Sequence, residues 1–389
     1  MELGSSNDDI LTEILSRLPT EYLLQLKTVS KGWHRLISDP CFIRIQLERS
    51  QNISGFFFQE RFYWCDEDIP SLSYLSVGME QAVVHNTILD FLPEKVVLSS
   101  SCNGLICCRS CFPAEDPVIY VCNPSIKEWV EVKWANTDKK DSLALVFNPL
   151  SHPVDIRRDF KVVKIHQTET EEDSYLSFEI YSSETGAWKS LEEAFECYYN
   201  LFKNHGIFAS GFLHWLTDGD HILVIDAEKE QVKLIRLPSP TMPGKEIPEM
   251  CIGESGGYLH FIRISMAGLQ IWTLENYAEP EWVLKCSIKL DDLEKENPKF
   301  LYKVSLKLVR RLTIDELSWV DLLAFQGDLL FMRVSSKVYL YHIKTRKMKE
   351  LCTLTQLCHN SLVLPTVLPY SMSLVPLGQL ACAPYCASI

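Results

Sequence analysis

Apolar residues recur at helical spacing from the start of the chain. Ile10, Leu11, Ile14, Leu15 and Leu18 fall three or four positions apart and so line one side of a helix. Ser6 followed by Asp9 has capping-box spacing at its start, and Pro19 ends it by disfavouring helical geometry at Leu18. Thr20 is placed to cap a second helix with Tyr22, Leu23, Leu26 and Val29 along one stripe, which Leu24 widens. Ser30 caps a third, carrying Trp33, Leu36 and Ile37. Asp39-Pro40 is an N-cap with proline at the first helical position, opening a fourth through Phe42, Ile43 and Leu47. The pattern predicts three or four short helices within the first fifty or so residues.

These helices are too greasy for their size. A unit of about fifty residues is at the lower limit for a self-sufficient core. Leu23 and Leu24 sit side by side, so more than one stripe needs cover. That cover is either a second polypeptide or the rest of this chain, and periodicity leaves both open.

After Ser50 the pattern changes to short β-rich runs separated by turn residues. They are SGFFFQ, KVVLSS, GLICC, VIYVCNP, KVVKIH, LSFEIYSS, GFLHWL, ILVID, YLHFIRI, LQIWTL, DLLFMRV and KVYLYHI. A polar residue that ends a strand is followed six positions later by a large apolar one in Asn123/Trp129, Ser182/Trp188, Asp226/Val232, Asn276/Trp282 and His342/Met348. Gly104 and Gly257 lie nineteen residues before Asn123 and Asn276, and Gly211 and Gly327 lie fifteen before Asp226 and His342. The repeating unit is strand, turn, strand, turn, strand, at intervals of 59, 44, 50 and 66 residues. Four-stranded propeller blades repeat about every 40–50 residues, so about 340 residues supply six to eight. The expected fold class is α+β by segments: a small all-α unit over residues 1–50, then an all-β, propeller-like domain over 51–389.

Charge and cysteine content narrow the function. The chain of 389 residues carries a net charge of −13, which weighs against general nucleic-acid binding. The segment to Arg49 holds six Lys/Arg against seven Asp/Glu, so all but one unit of that charge lies beyond it. Fourteen cysteines are scattered without a signal peptide, the pattern of free thiols in a reducing compartment, cytoplasm or nucleus. Pro365, Pro369, Pro376 and Pro384 interrupt the apolar tail, which reads as extended chain and not as a membrane span. Neither nucleic acid nor membrane is an expected partner.

Candidate chemistry is sparse. Cys102, Cys107, Cys108 and Cys111 are the best zinc candidates, but Cys107 and Cys108 are adjacent on a strand and point to opposite faces. Asp218, Asp220, His221 and Asp226 form an acidic cluster, within which Asp218-Gly219-Asp220 reads as a hairpin turn. His214 and His260 follow the repeated glycines at equivalent positions, which favours packing. ETEEDS, residues 169–174, reads as a solvated loop. The chain contains no phosphate-binding glycine loop, no G-x-S-x-G and no H-E-x-x-H. No catalytic residue, metal or cofactor is expected.

The segment DDILTEILSRLP followed by LLQLKTVSKGWHRLISDPCF, residues 8 to 42, resembles an F-box. SCNGLICC, VCNPSIKEW, FKVVKI, FEIYSSETGAWKSL, ASGFLHWL and the closing LPYSMSLVPL resemble, in that order, the F-box-associated region of plant F-box proteins, a relative of kelch propellers. The resemblance implies docking onto a Skp adaptor, and through it a cullin, through Ile10, Leu11, Leu18, Pro19, Leu23, Leu24 and Lys27. It implies that Trp33 and Leu36 fill the small core. Family members carry Leu-Pro just before the acidic start where this chain has Ser6-Asn7, which implies weaker adaptor contact there. It further implies that a strand near YSMSLVPL completes an early blade and closes the ring. The implied role is the substrate-recognition subunit of an SCF-type ubiquitin ligase, binding an unidentified target protein and catalysing nothing itself. The alternative is a propeller interaction module that does not assemble into a ligase.

Overall fold

The computed structural model describes residues 5–49, 53–60, 67–77, 84–134, 138–169, 174–191, 194–201, 205–238, 249–305, 320–357 and 365–378. Four helices come first: α1 (Ser5–Leu15), α2 (Thr20–Leu26), α3 (Lys31–Ile37) and α4 (Pro40–Arg49). Ser30 caps α3 by accepting from the Trp33 amide at 3.2 Å, and Asp39 Oδ1 accepts from the Cys41 amide at 2.8 Å at the start of α4. One expected cap is absent: α2 begins at Thr20 with no side-chain cap, while Ser6 lies inside α1. The Thr20 hydroxyl is engaged elsewhere, donating to the Met372 carbonyl at 3.2 Å.

Among the described residues the strands form six blades, each running from an innermost strand outward. Blade 1 is Thr366–Tyr370, Gly55–Gln59, Leu72–Ser76 and Val84–His85. Blade 2 is Val96–Cys102, Leu105–Ser110, Val118–Asn123 and Glu128–Lys133. Blade 3 is Ser142–Phe147, Phe160–Glu169, Ser174–Ser182 and Ala187–Ser190, with Phe195–Glu196 also pairing to its third strand. Blade 4 is Ile207–Ala209, Phe212–Leu216, His221–Asp226 and Gln231–Arg236. Blade 5 is Glu249–Ser255, Tyr258–Ser265, Gly268–Asn276 and Glu281–Ile288. Blade 6 is Val320–Gln326, Leu329–Val334, Lys337–His342 and Lys347–Thr353. Blades 5 and 6 share one eight-stranded sheet because their innermost strands pair in parallel at Gly253↔Phe325 and Glu254↔Gln326. A Cβ at Gly253 would collide with the Phe325 carbonyl, so glycine permits this approach.

The six innermost strands touch in turn around a closed ring. Each gap between blades is filled by its own apolar cluster. Phe57, Ile106 and Cys108 lie between blades 1 and 2, and Leu105, Cys107 and Val162 between 2 and 3. Ile165 and Trp215 lie between 3 and 4, Ile222 and Phe261 between 4 and 5, Ile262 and Met332 between 5 and 6, and Phe331 and Phe56 between 6 and 1. The ring closes where Gly55–Gln59 pairs with Thr366–Tyr370. That strand ends where the expected YSMSLVPL begins. Residues 371–378 form no strand and are pinned by Asn123, whose side-chain amide donates to the Ser373 and Val375 carbonyls at 3.0 and 2.9 Å.

The six-residue repeat has two physical causes. Its polar member ends the third strand and caps the turn to the fourth. Asp226 Oδ1 accepts from the Glu228 and Lys229 amides at 3.0 and 3.0 Å, and Asn276 Oδ1 from Ala278 and Glu279 at 2.9 and 3.2 Å. The last turn residue is left-handed at Lys127, Gly186, Glu230 and Arg346. Blade 5 has Pro280 there, which cannot adopt that backbone, and its register shifts between Leu274 and Asn276 instead. The apolar member stitches blades together. Trp188 Nε1 donates to the Lys133 carbonyl of blade 2 at 2.8 Å, and Trp282 Nε1 to the Arg236 carbonyl of blade 4 at 2.9 Å. The repeated glycines Gly104, Gly211, Gly257 and Gly327 sit at positive φ in turns between first and second strands.

His214 links blades 4 and 5. It is fully buried; its Nδ1 faces the Ile207 carbonyl at 3.2 Å and its Nε2 the Tyr277 hydroxyl at 2.9 Å. A neutral ring protonated on Nδ1 satisfies both, and burial pushes its pKa down to about 3. Among the described residues no helix is long and apolar enough to cross a membrane.

Two measurements check this architecture. Trp188→Phe and Trp282→Phe each remove one bond between blades, and urea unfolding is expected to show a loss of about 1 kcal/mol for each. The unfolded chain protonates His214 near 6.5 and the folded chain only near 3. Its contribution is therefore complete above pH 6.5 and is lost as pH falls, by up to about 1.4 kcal/mol per pH unit. His214→Gln is expected to flatten the fall in stability between pH 7 and pH 5.5 relative to wild type.

Candidate interaction surfaces

The helical unit is held together from its C-terminal end. Arg49 in α4 reaches α1, pairing with Glu13 Oε2 at 2.7 Å and donating to the Glu13 carbonyl at 3.3 Å and Ser16 Oγ at 2.5 Å. Glu13 also accepts from Arg17, and these two guanidinium groups lower its pKa. With the four short helices clamped, their faces divide into one turned to the propeller and one turned to solvent.

The seven residues assigned to an adaptor split between those faces. Ile10 is 56% exposed, Pro19 is exposed and Leu11 is partly exposed. Leu18 and Leu24 are partly buried and pack against the core shared with blades 2 and 3. Leu23 corrects the expectation: it is 0% exposed and sits in that same core, with no face open to a second chain. Lys27 is half-buried, with Glu128 of blade 2 close enough to oppose the lowering of its pKa by burial. Trp33 and Leu36 pack against the same core. Three apolar side chains outside the expected contact set stand in solvent: Ile14 at 56%, Tyr22 at 54% and Val29 at 64%. Ile14 follows Ile10 by four residues on α1, as helical periodicity marked, whereas Val29, expected on the second helix, lies in the turn after α2 ends at Leu26.

The helices sit on one end of the ring. Neighbouring strands within each blade are antiparallel, so first-to-second and third-to-fourth turns fall at one end, and the remaining connections at the other. Hydrogen bonds from the helices to the propeller use the first end. Arg44 Nη1 donates to the His152 carbonyl at 2.8 Å and the Asp155 carbonyl at 3.4 Å, both in the turn between the first two strands of blade 3. Thr20 donates to Met372 and accepts from Gln46 Nε2 at 3.0 Å.

The opposite end carries the longer loops, fixed by buried charge. The side chains of Asp68 and Arg109 are each 1% exposed and form a two-pronged pair at 2.6 and 3.2 Å. Asp68 also accepts from the Phe112 amide at 2.8 Å and lies 3.3 Å from Lys139 Nζ. Burial would raise the Asp68 pKa, and these partners more than offset it. On blade 3, a cleft of about 210 Å³ is lined by Lys164, His166, Ser177 and Glu179. Behind it, buried Asp141 lies 2.7 Å from His166 Nδ1 and 3.7 Å from Lys164 Nζ, and Lys164 reaches Glu179 at 3.0 Å.

The acidic and cysteine candidates do not assemble a reaction centre. Asp226 caps a turn at the helix end of blade 4, whereas Asp218 is at the loop end, accepting from the Asn200 amide and side chain at 2.9 and 2.9 Å. Gly219 is not at positive φ as an Asp-Gly hairpin would have it; a Cβ there would strike the Tyr199 ring. Cys107 and Cys108 do face opposite ways, into two different clusters, and burial raises both their pKa values. Among the described residues no three His, Cys, Asp or Glu are placed to hold a metal. ETEEDS lies largely outside the described residues, as do the side chains of Ser6 and Asn7.

Comparison with known proteins agrees with this two-part layout. The F-box domain profile matches residues 7–45. F-box protein At5g49610 of Arabidopsis thaliana is 28% identical over 302 residues, 73% of this chain and 79% of the relative. F-box protein At5g07610 of the same plant is 24% identical over 381 residues, 91% of this chain and 87% of the relative. F-box protein CPR1 is 25% identical over 351 residues, 81% of each. The profile described as F-box protein At3g26010-like, beta-propeller matches residues 82–305, more than half of the chain, and with an F-box ahead of it the chain belongs to that family of F-box propeller proteins.

Proposed function

We propose that this chain is the substrate-recognition subunit of an SCF-type ubiquitin ligase. Its helices dock a Skp adaptor, which joins a cullin, and the loop end of the propeller holds a target protein. The observation that supports this reading most is the solvent-facing apolar set in the helical unit, Ile10, Ile14, Tyr22 and Val29, together with exposed Pro19. Burying an apolar side chain of this size contributes about 1.5–3 kcal/mol, so a partner covering the set gains several kcal/mol. Leu11, Leu18, Leu24 and Lys27 are only partly buried in the chain alone. The propeller supplies no bond chemistry in this scheme. It raises the effective concentration of target lysines near the conjugating enzyme. The acidic charge carried beyond the helices favours approach by a basic partner. Such a complex operates in the cytoplasm or nucleus.

Adaptor capture by the purified full-length chain tests the reading. Wild type is expected to retain a purified Skp adaptor, and Ile10→Lys with Ile14→Lys is expected to weaken retention at least tenfold while leaving thermal unfolding unchanged. Leu23→Ala is expected instead to cost about 2–5 kcal/mol of stability, because it opens a cavity in the shared core. A wild-type chain that fails to retain the adaptor favours the second reading, an interaction module outside any ligase, which the Ser6-Asn7 departure supports.

A further inference from the structure

The helical unit could hang from the propeller as a tethered module, or be fixed to it. Two separate propeller segments meet the helices, and each is itself immobilised. The first is residues 371–377, just past the ring-closing strand. Asn123 holds two of its carbonyls. Its amides are held as well: Met372 by Ser54 Oγ at 2.9 Å, Ser373 by Ser125 Oγ at 3.3 Å, and Leu377 by Glu128 Oε2 at 2.9 Å. Its Leu374 and Val375 share one core with Leu15, Leu23, Ile37, Phe42 and Ile43 of the helices. Its Met372 carbonyl takes the buried Thr20 hydroxyl, which Gln46 of α4 supports in turn.

The second segment is residues 148–159, between the first two strands of blade 3. The corresponding turns of blades 2, 4, 5 and 6 have only two residues each, at Asn103-Gly104, Ser210-Gly211, Gly256-Gly257 and Gly327-Asp328. The extra length is ordered by its own bonds. His152 Nδ1 accepts from the Val154 and Asp155 amides at 3.3 and 3.0 Å, Arg157 donates its amide to the Pro149 carbonyl at 3.0 Å, and Ile156 packs into the shared core. The loop thereby presents two fixed carbonyls to one nitrogen of Arg44.

We propose that these two segments form a seat holding the F-box at one angle to the propeller, with Thr20 and Arg44 as its positioning residues. Thr20 fixes the start of α2 and Arg44 the middle of α4, and anchors on two helices block rotation about either one. The consequence for target presentation rests on the ligase reading: the loop end would face the charged conjugating enzyme at a set distance. The seat itself is a property of the chain alone.

The test is a distance distribution between the F-box and the loop end in the isolated full-length chain. Spin labels are introduced as noncanonical residues at exposed Lys31 and Asp90, leaving the native thiols unlabelled. Wild type is expected to give one narrow distribution. Thr20→Val with Arg44→Ala is expected to broaden it at least twofold, with adaptor retention within twofold of wild type, and restoring position 44 as lysine is expected to recover part of the narrowing. A broad wild-type distribution overturns the proposal without any variant, and so does a folded double variant as narrow as wild type. Failure of adaptor capture with a narrow distribution would overturn the ligase reading and leave the seat intact.

Discussion

The pairing of Thr366–Tyr370 with Gly55–Gln59 is the contact on which the rest of the structure depends. It joins the two ends of the propeller sequence and converts an open run of blades into a ring with no unpaired innermost strand. A row of blades would leave apolar faces bare at both ends, in this chain those lined by Phe56 and Phe331. Closure covers both faces. It also delivers residues 371–377 to the underside of blade 2, where they become the floor on which the helices pack. Ring closure and the seating of the F-box are therefore one structural event, carried by a segment more than 300 residues from the helices in sequence.

How far this was legible in the sequence follows from how local each signal is. The second and third strands of the blades alternate or end in turn residues, and all twelve runs read as strands are strands in the structure. The six-residue repeat was visible because both members act locally or on the preceding blade, one capping a turn and one reaching a neighbouring carbonyl. Most innermost strands gave no such signal. Ser142–Phe147 and Glu249–Ser255 are covered on both sides by neighbouring blades, so their buried positions are consecutive and not alternate. Ile207–Ala209 is too short to show any period.

The F-box shows the same limit from another side. Helix positions and two of the caps were legible, because Ser30 and Asp39 act on residues two or three away. The use of Thr20 was not, because its partner is Met372. Nor was the division of the apolar surplus. Periodicity showed that Tyr22, Leu23 and Leu24 could not all be covered by fifty residues, and left two candidate covers. Leu23 is fully buried in the core that the helices share with the propeller, while Tyr22 stays in solvent. A sequence pattern reports that a face is apolar; which of two faces meets the same chain depends on contacts hundreds of residues away.

The two ends of the ring are built by different physics. At the helix end, most turns are short and held by left-handed residues and Asx-type caps, and the one long connection among the described residues, 148–159, is held against the helices. The loop end has longer connections, and there burial of charge takes over. The Asp68–Arg109 pair draws a loop of blade 1 onto one of blade 2, and Asp141 does the same between the start of blade 3 and its second strand. Pairs of this kind add little net stability against an apolar replacement of the same shape, but removing one partner leaves a buried charge and costs several kcal/mol. Their effect is to make alternative loop arrangements expensive. In the target-binding role proposed for the loop end, that constraint lowers the cost of binding, since fewer side chains and loops remain to be ordered.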